Sequence, residues 1–177
     1  TGSGDQLLAS HRYFPQAVLT GLDFSRPMLD LAAGKLGDIP ASLILGDALE
    51  PPFGDNSFDS VSIAFGLRNM ADRRALYRQT LRILKPGGRF LVLELFFDPR
   101  GLLGPIIKFY ITRITPWVAG RLFNASADAY NYLGASVIRF PHPAVIAGEM
   151  EQEGFVRLGY NIYSFCTAML VWGHKPA

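Results

Sequence analysis

The chain has 177 residues, a formal net charge of +2 and one cysteine, Cys166. This length allows a single domain with a substantial core, which we assign to residues 1–177. The balanced charge gives no electrostatic support to nucleic-acid binding, and a lone cysteine excludes a disulfide framework and a zinc cluster, so no metal site is predicted. The opening residues lack a signal-peptide pattern, and a cytoplasmic setting is expected.

Helices and strands alternate through the first half of the chain. Strands are predicted at residues 17–23, 42–45, 58–65 and 89–95. Helices are predicted at residues 5–12, after the N-cap Ser25, and from the N-cap Asp72 to about residue 84. The sequence KPGG at residues 85–88 is typical of a turn. This alternation predicts βαβ units and a mostly parallel, doubly wound sheet.

The pattern changes after the fourth predicted strand. Residues 101–140 are rich in apolar and aromatic side chains and are predicted to form a mostly helical insertion. Another helix is predicted to begin at His142. Strands at residues 155–162 and 164–172 follow each other almost directly, so an antiparallel hairpin is expected to end the α/β fold.

Two glycines and a distant carboxylate indicate a nucleoside pocket. Gly2, Ser3 and Gly4 precede the first predicted helix, where glycines let a ligand approach the backbone and the helix N-terminus. Asp23 ends a strand about twenty residues later, where a carboxylate can accept bonds from two ribose hydroxyls. A plain strand-to-helix turn is the alternative for the glycines. Helix capping is the alternative for Asp23, although Ser25 is the better cap.

Asp47 and Ala48 follow the next strand, where a carboxylate or a backbone amide could bind an adenine edge. The alternative is a turn that leads into the prolines at residues 51–52. Leu7 stands where a dinucleotide fingerprint needs its third glycine. Together with Asp23 and the glycine loop, these residues predict a pocket for an adenosine without a pyrophosphate.

The strand at residues 58–65 ends in the sequence GLRN, which contains Arg68 and Asn69. Ligands bind at the carboxyl ends of strands in open α/β sheets, so this edge offers a fixed cation and an amide to a ligand. An ion pair of Arg68 with Asp72 or Asp47 is the structural alternative.

Seven sequence blocks together resemble the C-methyltransferases of menaquinone and ubiquinone biosynthesis, a family of class I S-adenosylmethionine-dependent methyltransferases. They span nearly the whole chain: TGSGD (1–5), GLDFSRPML (21–29), GDALEPPFGDNSFD (46–59), AFGLRNMADR (64–73), LRILKPGGRFLVLEL (81–95), AYNYLGASV (129–137) and GF…GH (154–174). The resemblance implies a Rossmann-like fold, S-adenosylmethionine as cofactor, and a prenylated quinol as methyl acceptor. That acceptor is either demethylmenaquinol or a polyprenyl methoxybenzoquinol.

The resemblance also assigns roles to individual residues. The cofactor site is expected to include Gly2, Ser3, Gly4, Asp23, Asp47, Ala48 and Ala64. Ala64 stands where family members often have serine, so it is expected only as a wall of the pocket. Arg68 is expected to stabilise the phenolate of the acceptor, while Asn69 orients the ring oxygen.

Tyr130, Tyr132 and His142 are further candidates for the acceptor site. The tyrosines lie two residues apart, so on a helix they cannot both face it, and ring packing is the alternative. His142 is either a base or a loop or cap residue. Residues 102–123 are too interrupted to span a bilayer. They are expected to be core, to line a channel for the prenyl tail, or to contact the membrane peripherally.

The chain begins inside the glycine loop, whereas the family has a strand before this loop. We therefore expect the native protein to continue upstream of an N-terminally incomplete chain. Without its central first strand, the chain alone is expected to aggregate or to bind cofactor poorly. Two other functions remain open: methylation of another small lipid or phenol, and a non-catalytic partner protein with the same fold.

Overall fold

The computed structural model describes residues 1–97, 135–163 and 168–177. The helices are α1 (Asp5–Tyr13), α2 (Arg26–Leu36), α3 (Arg73–Ile83) and α4 (Pro143–Gln152). The strands are β1 (Leu19–Asp23), β2 (Ala41–Leu45), β3 (Phe58–Ala64), β4 (Leu84–Leu95), β5 (Val156–Tyr163) and β6 (Ala168–His174). A 3₁₀ helix spans Leu67–Asn69, and residues 135–139 are helical.

Among the described residues, the strands form two hydrogen-bonded sheets. β1 and β2 pair in parallel. The larger sheet has the order β3-β4-β6-β5, in which β3 and β4 are parallel and β6 is antiparallel to both of its neighbours. The α/β class, the parallel pairs and the final hairpin are confirmed. The single sheet expected from the sequence is instead divided in two, and Gln6 of α1 connects the parts by donating to Ser62 of β3 (2.7 Å).

The helix starts follow the predicted caps, with one difference in chemistry. The Asp72 carboxylate accepts a hydrogen bond from the Ala75 amide (2.9 Å), and His142 Nδ1 accepts one from the Ala144 amide (3.2 Å). Ser25 occupies the N-cap position of α2, but its side chain makes no capping bond.

The predicted turn at residues 85–88 lies inside β4, so that part of the sequence reading is wrong. The register between β3 and β4 shifts between Phe58 and Ser60, which shows that β4 bulges at this point. Gly87 has a φ of +74°, a left-handed conformation that glycine adopts without steric cost. The chain therefore loops out briefly and then rejoins the same strand instead of reversing.

The main core lies between the larger sheet and helices α3 and α4. The Phe90 ring of β4 stacks on Phe155 at 5.7 Å and meets Tyr77 of α3 edge-on at 6.3 Å. Each buried large side chain contributes about 1.5–3 kcal/mol. Ala48 and Leu49, from the loop after β2, pack against the same cluster and so connect the smaller sheet to the main core.

Several sequence predictions concern residues outside the described ranges. These are Tyr130, Tyr132, Cys166, the apolar residues 102–123 and most of the insertion predicted at residues 101–140.

Candidate active site

The first part of the site lies at the carboxyl ends of β1 and β2. Because these strands are parallel and Asp23 is opposite Leu45, the loops that follow both strands leave from the same edge. The Gly46 amide donates to the Asp23 carbonyl oxygen (3.0 Å), which holds the second loop against the first. Asp23 and Asp47 therefore lie on one edge, as the sequence predicts for a ligand pocket.

The glycine loop is attached to this edge. The Gly2 amide donates to Oδ2 of Asp23 (2.7 Å). Gly4 has a φ of +87°, and a Cβ atom placed on it would lie 3.0 Å from Cβ of Ala32 in α2. Both the backbone conformation and this close packing require glycine, and the contact places the start of α1 beside α2.

Ser3 uses its hydroxyl to fasten the loop. The hydroxyl donates to Asp5 (2.7 Å) and accepts from Lys35 of α2 (3.0 Å). The hydrogen bond from Lys35 lowers the pKa of Asp5 below its usual value, so the network is charged at neutral pH. The Ser3 side chain therefore bonds within the loop, and its cofactor contact stays a prediction.

Asp23 is mostly buried, and both of its carboxylate oxygens have amide partners. Oδ2 accepts from Gly2, and Oδ1 accepts from the Ser25 amide at 3.0 Å. Burial alone would raise the pKa of Asp23, but the Ser25 and Gly2 amides more than offset it, and the pKa lies below its usual value. The ionised carboxylate also accepts from the Thr1 nitrogen (3.2 Å). Because a carboxylate has about four acceptor positions, room for a hydroxyl donor remains.

The other residues of the predicted cofactor site have simpler surroundings. Asp47 is exposed, and its Oδ1 accepts from the Leu49 amide (2.9 Å), which forms a tight turn after β2. Ala48 is half-buried against the core. Ala64 is the last residue of β3, and it is half-buried opposite Leu93. These positions fit the walls of a pocket, and their contact with a cofactor remains a prediction.

The second part of the site is the turn that follows β3. Phe65 has a φ of +56°, a conformation that side-chain-bearing residues rarely adopt. Its amide donates to the Leu93 carbonyl oxygen (2.8 Å), which keeps the turn on the sheet. The short 3₁₀ helix then brings Arg68 and Asn69 to the edge, where Asn69 is exposed and Arg68 is half-buried.

Arg68 pairs with Glu94 at the end of β4, which differs from the alternative partners Asp72 and Asp47 suggested by the sequence. One Glu94 oxygen accepts from the Arg68 guanidinium and from the Leu95 amide (2.9 Å), and the other accepts from the Arg68 amide (3.2 Å). The Glu94 side chain is fully buried, and the Arg68 side chain is 12% exposed. Within the described ranges, Arg68 Nε is buried and has no hydrogen-bond partner.

Glu94 is the functional candidate that the sequence analysis missed. A glutamate is almost never fully buried unless it is paired. Glu94 is the one charged residue within the apolar sequence LVLEL, and a lone charge in such a sequence indicates a paired, functional side chain. Its effect is to neutralise Arg68 and to fix both the backbone and the side chain of that residue.

His142 serves as a helix cap through Nδ1, and its ring lies edge-on to Phe96 (5.8 Å) and Tyr160 (5.9 Å). Because Nδ1 accepts a bond, the proton of the neutral ring belongs on Nε2. A role for His142 toward a substrate stays a prediction. Tyr130 and Tyr132 lie outside the described residues, so their roles also stay predictions.

A cavity of about 310 Å³ lies beside Arg68. Its lining comprises Arg68, Arg73, Ala135, Ser136, Arg139, Phe140 and Pro141. Three arginines therefore surround a space that is also bordered by an aromatic ring and a proline. Within the described ranges there is no group of three or more histidine, cysteine or acidic side chains placed to hold a metal. Nor is any helix there long and apolar enough to cross a bilayer.

Comparison with known proteins gives a consistent result. The family described as "ubiE/COQ5 methyltransferase family" matches residues 1–175. Demethylmenaquinone methyltransferase of Thermotoga maritima is 42% identical over 156 residues, 88% of this chain and 67% of that protein. The ubiquinone/menaquinone biosynthesis C-methyltransferase UbiE of Desulfotalea psychrophila is 34% identical over 175 residues, 99% of this chain and 71% of that protein.

A solved structure extends the comparison to the fold. Phosphoethanolamine N-methyltransferase 2 of Haemonchus contortus, in complex with S-adenosyl-L-methionine, superposes with a TM-score of 0.71 at 16% identity. The match covers 99% of this chain and 47% of that one, and at this identity it shows the class I methyltransferase fold alone. The match to residues 1–175 and the identity to the two relatives decide the family: the chain belongs to the ubiE/COQ5 methyltransferases.

Proposed function

We propose that this protein uses S-adenosylmethionine to methylate a ring carbon of a prenylated quinol, with demethylmenaquinol as the favoured acceptor. The observation that carries the proposal is the pairing of two features at the carboxyl ends of the strands. One is the glycine loop attached to Asp23, and the other is the Arg68–Glu94 pair beside an arginine-lined cavity. Relatives at 42% and 34% identity bear quinone methyltransferase names, which supports this choice of acceptor.

The residues at β1 and β2 fit the nucleoside part of the cofactor. Asp23 is ionised, mostly buried and retains acceptor capacity, so it is suited to a ribose hydroxyl. The Gly2 amide ties the glycine loop to this carboxylate, and Gly4 lets the start of α1 pack against Ala32 of α2. Ala48 and Ala64 offer small apolar walls on which an adenine ring or the methionine part can pack.

When bound beside the glycine loop and Asp23, S-adenosylmethionine would supply an electrophilic methyl group for transfer to the acceptor carbon, with its sulfur as the leaving group. The protein's contribution is to make the ring carbon nucleophilic and to hold it in line. An ionised hydroxyl beside that carbon supplies the electron density, so donors that stabilise the phenolate lower the barrier. Arg68 is suited to this because Glu94 fixes its guanidinium. Correct positioning alone can contribute about 7–11 kcal/mol.

The membrane origin of a prenylated acceptor bears on residues 102–123. We propose that this apolar and aromatic sequence contacts the prenyl tail or the bilayer surface, because three cations interrupt it and it is too broken to span. Flotation with anionic liposomes tests this. Protein that stays at the bottom, together with equal methylation of a tail-less acceptor, would exclude the role.

Profiling the quinones of cells that lack the protein tests the acceptor. We expect one demethylated quinone to accumulate and its methylated form to disappear, and the ring of that species identifies the substrate. Restoring the gene should reverse both changes. An unchanged quinone profile would refute the proposed acceptor, and it would favour another phenol or a non-catalytic role. Calorimetry with S-adenosylmethionine separates those two, because only a methyltransferase of another phenol requires binding.

A further inference from the structure

The cavity beside Arg68 contains three guanidinium groups whose charges are not equally available. Arg68 pairs with the fully buried Glu94. Arg73 pairs with Glu149 through two hydrogen bonds of 2.9 and 2.6 Å. A paired arginine still donates N–H bonds, but the field of its charge is largely cancelled by its partner at distances beyond the pair.

The Arg73–Glu149 pair is ionised at neutral pH. The hydrogen bond from Arg73 lowers the pKa of Glu149, and the reciprocal bond raises the pKa of Arg73. Tyr77 adds a hydrogen bond to Glu149 (3.3 Å), and burial raises the pKa of its own hydroxyl, so Tyr77 stays protonated. The pair therefore contributes no net charge to the cavity.

Arg139 is the third arginine of the lining, and it differs from the other two. It is exposed, and no carboxylate in the described part of the chain pairs with it. Among the described lining residues and their ion-pair partners, three arginines against Glu94 and Glu149 leave one positive charge, which belongs to Arg139.

We propose, on the basis of the quinol methylation proposed above, that this cavity receives the ionising ring oxygen of the acceptor, and that Arg139 supplies the net positive charge that stabilises it. Arg68 and Arg73 act there as fixed hydrogen-bond donors. Phe140 and Pro141 provide apolar surface against which the ring of the acceptor packs. The volume of about 310 Å³ admits a substituted aromatic ring edge with its oxygen.

A coloured phenol tests this assignment without any methyl transfer. 4-Nitrophenol absorbs differently in its neutral and ionised forms, so its pKa can be read from absorbance at saturating protein. The wild-type protein should lower the pKa of the bound probe relative to the free probe. In Arg139→Gln the pKa of the bound probe should be about half to one pKa unit higher than in the wild type. The shift is modest because the Arg139 side chain is exposed.

Two further variants make the result specific. Arg139→Lys should retain most of the shift because it keeps the charge. Arg12→Gln, which removes an exposed arginine at the end of α1, should behave like the wild type. Added salt should weaken the wild-type shift, since an exposed charge is screened. The pKa that governs the alkaline-going rise of kcat for the quinol should move in Arg139→Gln in the same direction as the pKa of the bound probe, because kcat reports ionisation in the enzyme–substrate complex.

The assignment is overturned if the wild-type protein leaves the pKa of the probe unchanged, or if Arg139→Gln shifts it as much as the wild type does. These outcomes are distinct from failure of the proposed function. If the protein lowers the pKa of 4-nitrophenol through Arg139 but methylates no quinol, the oxyanion subsite is supported and the proposed acceptor is refuted.

Discussion

Replacing Glu94 by glutamine should reveal how strongly the turn after β3 depends on a buried charge. Glu94 is fully buried and accepts three hydrogen bonds, two from Arg68 and one from the Leu95 amide. Glutamine has nearly the same shape, but its amide nitrogen would face one of these donors and leave the Arg68 charge uncompensated. Removing one partner of a buried ion pair costs about 3–5 kcal/mol, a large share of a domain stability of about 5–15 kcal/mol.

The assay is urea unfolding at neutral pH, followed by a thermal melt. For a domain of this size the loss corresponds to a decrease in melting temperature of about 6–20 °C. Asp59→Asn is a matched control because Asp59 is 85% exposed and pairs with Lys85 at 2.8 Å. This surface pair should change the free energy of unfolding little.

A double variant shows whether Glu94→Gln destabilises the protein by leaving the Arg68 charge unpaired or by disturbing the packing around residue 94. Arg68→Met combined with Glu94→Leu removes both charges, and it should recover most of the stability that Glu94→Gln loses, although not catalysis. Equal free energies of unfolding for the wild type and Glu94→Gln would refute the reasoning. So would a double variant that is no more stable than Glu94→Gln.

Three further predictions concern binding, pH and packing. Asp23→Ala should weaken S-adenosylmethionine binding by about 1.5–3 kcal/mol in calorimetry, and unchanged affinity would remove Asp23 from the site. Arg73 lowers the folded-state pKa of Glu149, so this pair stabilises the protein at pH values above the pKa of an unfolded glutamate. The contribution disappears as the pH falls through the folded-state pKa. Glu149→Gln should therefore reduce the difference between the free energies of unfolding at neutral and at acid pH. An unaltered difference would contradict the conclusion that ionised Glu149 stabilises the fold. Gly4→Ala should lower the free energy of unfolding by about 1–3 kcal/mol because of the positive φ at this position. Gly34→Ala in α2, where nothing lies within 4 Å of the added Cβ, should raise it by about 0.5–1 kcal/mol. Equal melting temperatures for the two variants would argue against the loop geometry.

The sequence predicts those parts of the molecule that depend on local chemistry. Asp72 caps α3 because a carboxylate at that position can reach the Ala75 amide three residues on. His142 likewise marks the start of α4. The glycine loop, Asp23 and Asp47 could be assigned to one edge because parallel strands align their carboxyl ends.

The remainder depends on contacts between residues that are distant in sequence. Arg68 and Glu94 are 26 positions apart, and they meet only because β3 and β4 are adjacent and parallel. The cavity brings Arg139 beside Arg73, and Arg139 lies in none of the sequence blocks that carry the family resemblance. The KPGG sequence at residues 85–88 favours a turn locally, but β4 pairs with β3 on both sides of it, at Leu84 and at Arg89, so the sequence forms a bulge.

The most direct test is a methyl-transfer assay with isotopically labelled S-adenosylmethionine and a demethylmenaquinol of short tail, analysed by mass spectrometry. We predict one labelled methyl group on a ring carbon of the product. Arg68→Lys, which keeps the charge but loses the planar fork, should lower turnover with little change in cofactor affinity. A protein that binds the cofactor but transfers no label to a quinol carbon, or that places it on an oxygen, would contradict ring-carbon methylation.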